Sequence, residues 1–129
     1  MKRIYIAHSK DIDYINELYE PLKNADFLKN YTLLLPHELS KISYNTRDFY
    51  KDIDIFIAEV SKPATGLGIE LGWAFDDNTK IYCIYKANET VSSSIKSITS
   101  DIFEYNNRDE MLEIIKNIIE KENLYIFLA

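Results

Sequence analysis

Short apolar runs rich in β-branched and aromatic residues recur along the chain, each bounded by polar or turn-forming residues. Such runs predict β-strands. The predicted strands cover residues 3–7, 31–35, 53–60, 80–86 and 102–105. The third run, "IDIFIAEV", is apolar enough to predict a strand that is buried on both faces of its sheet.

Between these runs, apolar residues recur at helical spacing. The first helical segment covers residues 11–25, with an apolar face formed by Ile12, Ile15, Leu18, Tyr19 and Leu22. We expect Ser9 to cap this helix and Pro21 to kink or break it. Longer helices are predicted over residues 66–77 and 108–122, and shorter ones after Asn45 and within the serine-rich segment 88–100.

The alternation of strands and helices indicates a parallel sheet with helices on both faces. We expect one domain over residues 1–129, with the flavodoxin-like strand order 2-1-3-4-5. Ligands of such sheets bind beyond the carboxyl ends of the strands, near the switch point between strands 1 and 3. The loops that begin at His8 and Ser61 are therefore predicted to border the site.

The composition is that of a globular protein, with 47% hydrophobic and 28% charged residues. A formal net charge of −6 argues against a protein that binds nucleic-acid backbones, because such proteins need a basic surface. It is compatible with a small anionic ligand held at a helix N-terminus.

The single cysteine, Cys83, lies in the apolar run "IYCIY" and is expected to be a core residue in a reducing compartment. No apolar run approaches the ~20 residues of a membrane span. The N-terminal run is too short for a signal peptide. We therefore expect a soluble, cytoplasmic protein.

The stretch "VSKPATGLGIELGWA" (60–74) turns from strand into helix and carries Glu70 at the turn. Gly66 and Gly68 favour close approach of a ligand, although Leu71 stands where a dinucleotide fingerprint needs its third glycine. A carboxylate in the first helical turn is stabilised as an anion by free backbone N–H groups. Glu70 is thus a candidate nucleophile for an anomeric carbon. The alternative is an ordinary surface carboxylate at a helix start.

The segment "DIFIAEVSKPATGLGIELGWA" (54–74), followed by "KIYCIYK", resembles the nucleoside 2-deoxyribosyltransferase family. It is more similar to the deoxynucleoside 5′-monophosphate N-glycosidase branch than to the transferases proper, over about residues 1–105. The resemblance implies an enzyme that cleaves the N-glycosidic bond of a nucleoside or nucleoside 5′-monophosphate, with Glu70 as its nucleophile. The sequence has no metal-ligand spacing, and no cofactor is expected.

Other positions depart from that family. Ala64 stands where the hydrolase branch has a phosphate-binding serine, with Thr65 next to it. The family aspartate that assists departure of the base falls in register on Thr46, and the nearest carboxylate is Asp48.

Glu70 and Asp48 are the predicted catalytic residues, with Asp48 as the first candidate proton donor and His8 as the second. The predicted substrate-binding residues are His8, Ser9, Asn45, Thr65, Gly66, Gly68 and Ser93. His37, which follows Pro36, is expected to be an ordinary loop residue.

The resemblance also bears on assembly, because the hydrolase branch takes a serine from the neighbouring subunit and Ser93 in "TVSSSIK" matches it in register. The apolar tail, residues 124–128, has to dock on this chain or on a neighbour. We therefore expect a homodimer or a larger homo-oligomer that binds a small nucleoside or nucleotide, with neither nucleic acid nor membrane as a partner.

A second resemblance supports an alternative. The N-terminal segment "IYIAHSKDIDYINELYEPLK" resembles the first strand and loop of bacterial TIR domains, many of which cleave the nicotinamide bond of NAD with a helix-borne glutamate. Glu70 would then act on NAD. A further alternative is a nucleotide-binding sensor without catalytic activity.

Overall fold

The computed structural model describes residues 1–39, 47, 50 and 52–128. The strands are β1 (Arg3–His8), β2 (Thr32–Leu34), β3 (Ile55–Glu59), β4 (Ile81–Lys86) and β5 (Ile102–Tyr105). The α-helices are α1 (Glu20–Lys23), α2 (Pro36–Leu39), α3 (Thr65–Asp76) and α4 (Arg108–Leu128). A π-helical segment covers Ile15–Tyr19, and 3₁₀ segments cover Asp26–Leu28 and Ser93–Ser97. The helix predicted after Asn45 lies outside the described residues, as do Asn45 and Asp48 themselves.

The five strands form one parallel sheet in the order β2-β1-β3-β4-β5, which confirms the predicted flavodoxin-like topology. Strands β1 and β3 are neighbours in space although β2 comes between them in the chain. Their register runs from Ile4 beside Ile55 to His8 beside Glu59. The switch point of the sheet therefore lies between the loops that follow these two strands.

One face of the sheet packs against α1 and α4. Ile4, Ile6 and Ile57 from the strands contact a layer that includes Leu22 of α1 and Ile115 of α4. The opposite face packs against α3, so β3 is buried on both sides, as its composition predicts.

The α3 side of the core contains Cys83. This residue is fully buried with Phe56, Ala58, Leu71 and Ala74, and it is not in a disulfide. Burial raises the pKa of the Cys83 thiol to about 12. The thiol is therefore a protonated core group, as its apolar sequence context predicts.

The first helical segment differs from the prediction. It begins at Ile15 rather than residue 11, and it starts as a π-helical segment in which the N–H of Glu20 donates to the carbonyl of Ile15, five residues back. α-Helical geometry follows directly from Glu20 to Lys23 and includes Pro21, so the helical segment is not broken at the proline, and its irregularity is the π-helical turn before it. The altered rotation per residue turns Ile15 out of the predicted apolar face, and its side chain is 60% exposed.

Two other boundaries also differ. Pro36 begins the short helix α2 instead of only ending β2, because its missing N–H and fixed φ suit the first turn of a helix. Helix α4 continues past residue 122 through the apolar tail to Leu128, since neither proline nor glycine interrupts it. Leu124 on this extension is 56% exposed. In the part of the chain that the structure describes, no helix combines the length and the apolar character that crossing a membrane requires.

The α4 contact can be tested by a matched pair of substitutions. Ile115→Ala, at a fully buried position, should lower the free energy of unfolding by about 2–5 kcal/mol, because it leaves a cavity under the sheet. Ile15→Ala removes the same atoms from an exposed position and should change the free energy of unfolding by no more than about 0.5 kcal/mol. Urea unfolding of both variants and the wild type measures the difference. Equal effects would contradict the packing described here.

Candidate active site

Glu70 does not lie where the sequence predicts. Helix α3 begins at Thr65, so Glu70 is in its second turn, and the first turn contains no acidic residue. The free amide groups of the first turn therefore do not hold its carboxylate. The predicted stabilisation of Glu70 as an anion by backbone N–H groups is wrong, because that prediction placed the start of the helix too close to it.

The Glu70 side chain lies instead among aromatic residues beneath the helix. Tyr50 Oη donates a 2.9 Å hydrogen bond to the backbone carbonyl of Glu70, and the Tyr50 ring packs against Tyr5 with centroids 4.8 Å apart. Glu70 Oε2 and Tyr5 Oη are both shielded from solvent, and neither makes a hydrogen bond of normal geometry with another described residue. The Tyr5 hydroxyl is nevertheless the donor nearest this carboxyl group, and its influence on the Glu70 pKa is that of a hydrogen-bond partner.

Burial raises the pKa of Glu70 to about 7, and the nearby Tyr5 hydroxyl offsets part of that rise. The group is therefore divided between its acid and its carboxylate near neutral pH. Such a carboxyl group can both donate and accept a proton near neutral pH, whereas an exposed glutamate, with a pKa of about 4.3, is ionised there and can only accept one.

Glu70 lines a cavity of about 420 Å³, called here the Glu70 cavity. It opens at the carboxyl edge of the sheet, between the loop after β1 and the start of α3. The lining residues are His8, Lys10, Asp11, His37, Pro63, Ala64, Thr65, Gly66, Leu67 and Glu70. Its size falls in the range of small-molecule sites, roughly 300–1,000 Å³.

The start of α3 faces this cavity. The first intrahelical bond, from Gly68 N–H to the Ala64 carbonyl, measures 3.1 Å, and Ala64 supplies no side-chain cap. The amide groups of Thr65, Gly66 and Leu67 therefore have no acceptor within the helix, and all three residues line the cavity. They can donate to an anionic part of a ligand.

His8, His37, Tyr14 and Tyr19 form an aromatic cluster beside the cavity. The ring centroids of His8 and His37 are 4.9 Å apart, and Tyr14 packs against His8 at 4.6 Å and against His37 at 4.5 Å. The cluster joins the end of β1 to helix α2. The sequence interpretation of His37 as an ordinary loop residue is wrong, because the short helix α2 carries it into the cavity wall.

The hydrogen bonds of His8 fix its tautomer. Its Nδ1 is 2.9 Å from the carbonyl oxygen of Ser9, which can only accept, so Nδ1 carries the proton. Its Nε2, 2.6 Å from Tyr19 Oη, then accepts from that hydroxyl, which in turn accepts a 3.1 Å bond from the backbone N–H of His37. Each of these three hydrogen bonds therefore has one donor and one acceptor.

His8 is consequently unsuited to the proton-donor role suggested by the sequence. Burial, opposed by the hydrogen bond to Ser9 and assisted by the neighbouring His37, lowers its pKa to about 4. The imidazole is neutral at neutral pH and both nitrogens are occupied within the protein. His8 lines the cavity with its ring and holds Tyr19 in place.

A buried carboxylate that sequence reasoning missed shapes the loop before α3. Glu59, at the end of β3 and 2% exposed, accepts hydrogen bonds from Ser61 N (2.6 Å), Ser61 Oγ (3.0 Å) and the Tyr105 hydroxyl. Ser61 Oγ also accepts from Lys86 N at 2.8 Å. This network ties the ends of β3, β4 and β5 together. A glutamate at the end of an otherwise apolar strand is the signal that could have revealed it.

The remaining predicted site residues have different positions. Ser9 is fully buried, and its hydroxyl accepts a 3.0 Å bond from Asp11 N, so it shapes the loop after β1 rather than capping a helix. Gly68 lies outside the Glu70 cavity and lines a second, mostly apolar groove of about 360 Å³ between α3 and the 3₁₀ segment Ser93–Ser97. Ser93 is exposed and is not among the described residues that line the Glu70 cavity of its own chain.

The described residues contain no cluster of three or more histidine, cysteine, aspartate or glutamate side chains that could hold a metal ion. A scan of protein-family models and a search of curated proteins find no match to this chain.

The raised pKa of Glu70 predicts a specific pH dependence of stability. The folded-state pKa of about 7 exceeds the ordinary carboxyl value of about 4.3. The protonated group therefore contributes stability below the unfolded pKa, and this contribution is lost as the pH rises through about 7. Glu70→Gln cannot ionise. Its free energy of unfolding should therefore rise by roughly 1–3 kcal/mol relative to that of the wild type between about pH 4 and about pH 8.

Urea unfolding at both pH values measures this difference, and all other titrations common to the two proteins cancel. The matched control is Glu113→Gln, which changes an exposed carboxylate on α4. A pH-independent difference between Glu70→Gln and the wild type would show that Glu70 is not desolvated in solution.

Proposed function

We propose that this protein cleaves the N-glycosidic bond of a nucleoside or nucleoside 5′-monophosphate, as an N-glycosidase or a deoxyribosyltransferase-type enzyme with Glu70 as its nucleophile. The observation that carries the proposal is the desolvated carboxyl group of Glu70 in the wall of a cavity at the switch point of the sheet. The resemblance of "GLGIELG" to the motif of the nucleoside 2-deoxyribosyltransferase family supports the same role.

The reaction has two steps in this proposal. The Glu70 carboxylate attacks C1′ of the sugar, the C1′–N bond breaks, and the base departs with the electron pair of that bond. The glycosyl ester on Glu70 is then hydrolysed by water, or its sugar is transferred to a second base. Desolvation favours the first step because the attacking oxygen has no tightly held water to lose.

The cavity also offers binding groups for the remainder of the substrate. The amide groups of Thr65, Gly66 and Leu67 can receive a 5′-phosphate, with the ammonium of Lys10 at the same cavity. These donors would serve where Ala64 replaces the phosphate-binding serine of the resembling family. Pro63 and the ring of His8 supply apolar surface for the base or sugar.

Glu70→Gln tests the nucleophile. The variant keeps the shape of the side chain but lacks the anion, so it should fold and bind ligand while turnover falls by several powers of ten, each equivalent to about 1.4 kcal/mol of barrier. Release of free base is followed for a panel of nucleosides, nucleoside 5′-monophosphates and NAD. Equal base release by the wild type and Glu70→Gln would exclude the mechanism.

Two further results of that panel distinguish the alternatives. Cleavage of NAD alone would favour the TIR-like hydrolase, and tight nucleotide binding without any cleavage would favour a sensor. Asp48→Asn, at the first proton-donor candidate from the sequence, should lower turnover about 10²-fold if Asp48 assists departure of the base.

Ser93 and the exposed Leu124 support a homo-oligomer whose subunits complete one another's sites. If Ser93 acts in the neighbouring subunit's site, Ser93→Ala should lose activity, and mixing it with Glu70→Gln should restore about a quarter of the wild-type sites in a two-fold dimer. Base release after subunit exchange measures this recovery. A stable monomer with full activity in sedimentation experiments would contradict the assembly.

A further inference from the structure

The reaction proposed above requires a proton for the departing base. A nitrogen that takes the electron pair of the C1′–N bond is a poor leaving group as an anion, and a positioned acid lowers the barrier to its departure. The proton donor must lie in the cavity that contains Glu70.

Most titratable groups of the Glu70 cavity are unsuited to this role. Those of the described residues are His8, Lys10, Asp11, His37 and Glu70. Glu70 is the proposed nucleophile, and both nitrogens of His8 are engaged by Ser9 and Tyr19. Lys10 and Asp11 are exposed to solvent on the loop after β1. His37 is the partly buried group that remains.

The structure holds His37 firmly at the cavity wall. Its backbone N–H donates to Tyr19 Oη, and its ring packs against both His8 and Tyr14 at centroid distances of 4.9 Å and 4.5 Å. The ring is therefore positioned by β1, by the π-helical segment and by its own helix α2. A general acid needs such fixed placement, because proton transfer depends on hydrogen-bond geometry.

We propose that His37 is the general acid that protonates the leaving base, an inference that rests on the proposed N-glycosidase function. The imidazolium gives its proton to the base nitrogen as the C1′–N bond breaks and a Glu70 oxygen bonds to C1′. The products of this step are a neutral base, a neutral imidazole and the glycosyl ester. In the second step, water attacks C1′ and the imidazole takes the proton of that water, which regenerates the Glu70 carboxylate and the imidazolium.

The charged surroundings of His37 set the pH dependence. Burial lowers the pKa of His37 below its ordinary value. The titratable groups near it or lining the same cavity are His8 from β1, Tyr14 and Tyr19, Glu38 on α2, Lys10, Asp11 and Glu70. Since ionised Glu70 and protonated His37 are needed together, kcat/KM should peak between their two pKa values and fall on both sides.

The experiment compares substrates that differ in their need for an acid. The probes are 2′-deoxyguanosine 5′-monophosphate and its N7-methyl derivative, whose base is already cationic and departs without a proton. His37→Asn should lower kcat/KM for the unmodified nucleotide about 10²-fold and for the methylated one less than about threefold, after subtraction of spontaneous depurination. With the unmodified nucleotide, the fall of kcat/KM at alkaline pH should disappear in His37→Asn.

Glu38→Gln is the matched control, because it changes the next residue of α2, whose carboxylate pairs with Lys23 at the surface. It should retain cleavage of both substrates and the fall of kcat/KM at alkaline pH. Retained cleavage of the methylated nucleotide by His37→Asn shows in the same assay that the variant is folded.

Equal losses on both substrates, or an unchanged rate on the unmodified one, would overturn the assignment of His37. A selective loss in Asp48→Asn without one in His37→Asn would assign the acid to Asp48 instead. These outcomes leave Glu70 as nucleophile untouched. Absence of base release by the wild type from both probes and the rest of the panel would instead overturn the proposed function, and this inference with it.

Discussion

The parallel pairing of β1 with β3 decides where the Glu70 cavity lies. The two strands run side by side from Ile4 and Ile55 to His8 and Glu59, and their middle residues are buried on both faces. In the described residues, the polar side chains that are buried are His8, Ser9, Glu59 and Ser61. All four lie where these strands end. The apolar strands thus concentrate buried polarity at one edge of the sheet.

Burial of polar groups at that edge has to be compensated, and the structure does so in two different ways. Glu59 is surrounded by donors from Ser61 and Tyr105, so its charge is satisfied within the fold and fixes the loop that leads to α3. Glu70 is desolvated beside Tyr5 and Tyr50 without equivalent donors, and its pKa rises to about 7. The first carboxylate is a structural anchor, whereas the second is a desolvated group in the wall of the Glu70 cavity.

The same contrast separates the two histidines. His8 is held in one tautomer by Ser9 and Tyr19, and this arrangement joins the end of β1 to helix α2. His37 lies on α2 and borders the cavity. One histidine therefore organises the aromatic cluster, and the cluster holds the ring of the other at the cavity wall. A pair of rings 4.9 Å apart also disfavours simultaneous protonation, which keeps His8 neutral when His37 carries a charge.

Much of the architecture could be read from the sequence because it depends on local patterns. The apolar runs and helical spacings predicted the parallel sheet, its strand order, the two-sided burial of β3 and the core position of Cys83. The glycine-containing turn before Glu70 directed attention to the carboxyl edge of the sheet.

What the sequence could not determine was the environment of each side chain. A helix start shifted by a few residues placed Glu70 among tyrosines rather than amide groups, and the short helix α2 brought His37 to a cavity formed by segments distant in sequence. Hydrophobic periodicity is a local property of the chain, whereas desolvation, tautomer and proton affinity depend on which segments meet, and only the tertiary structure decides that.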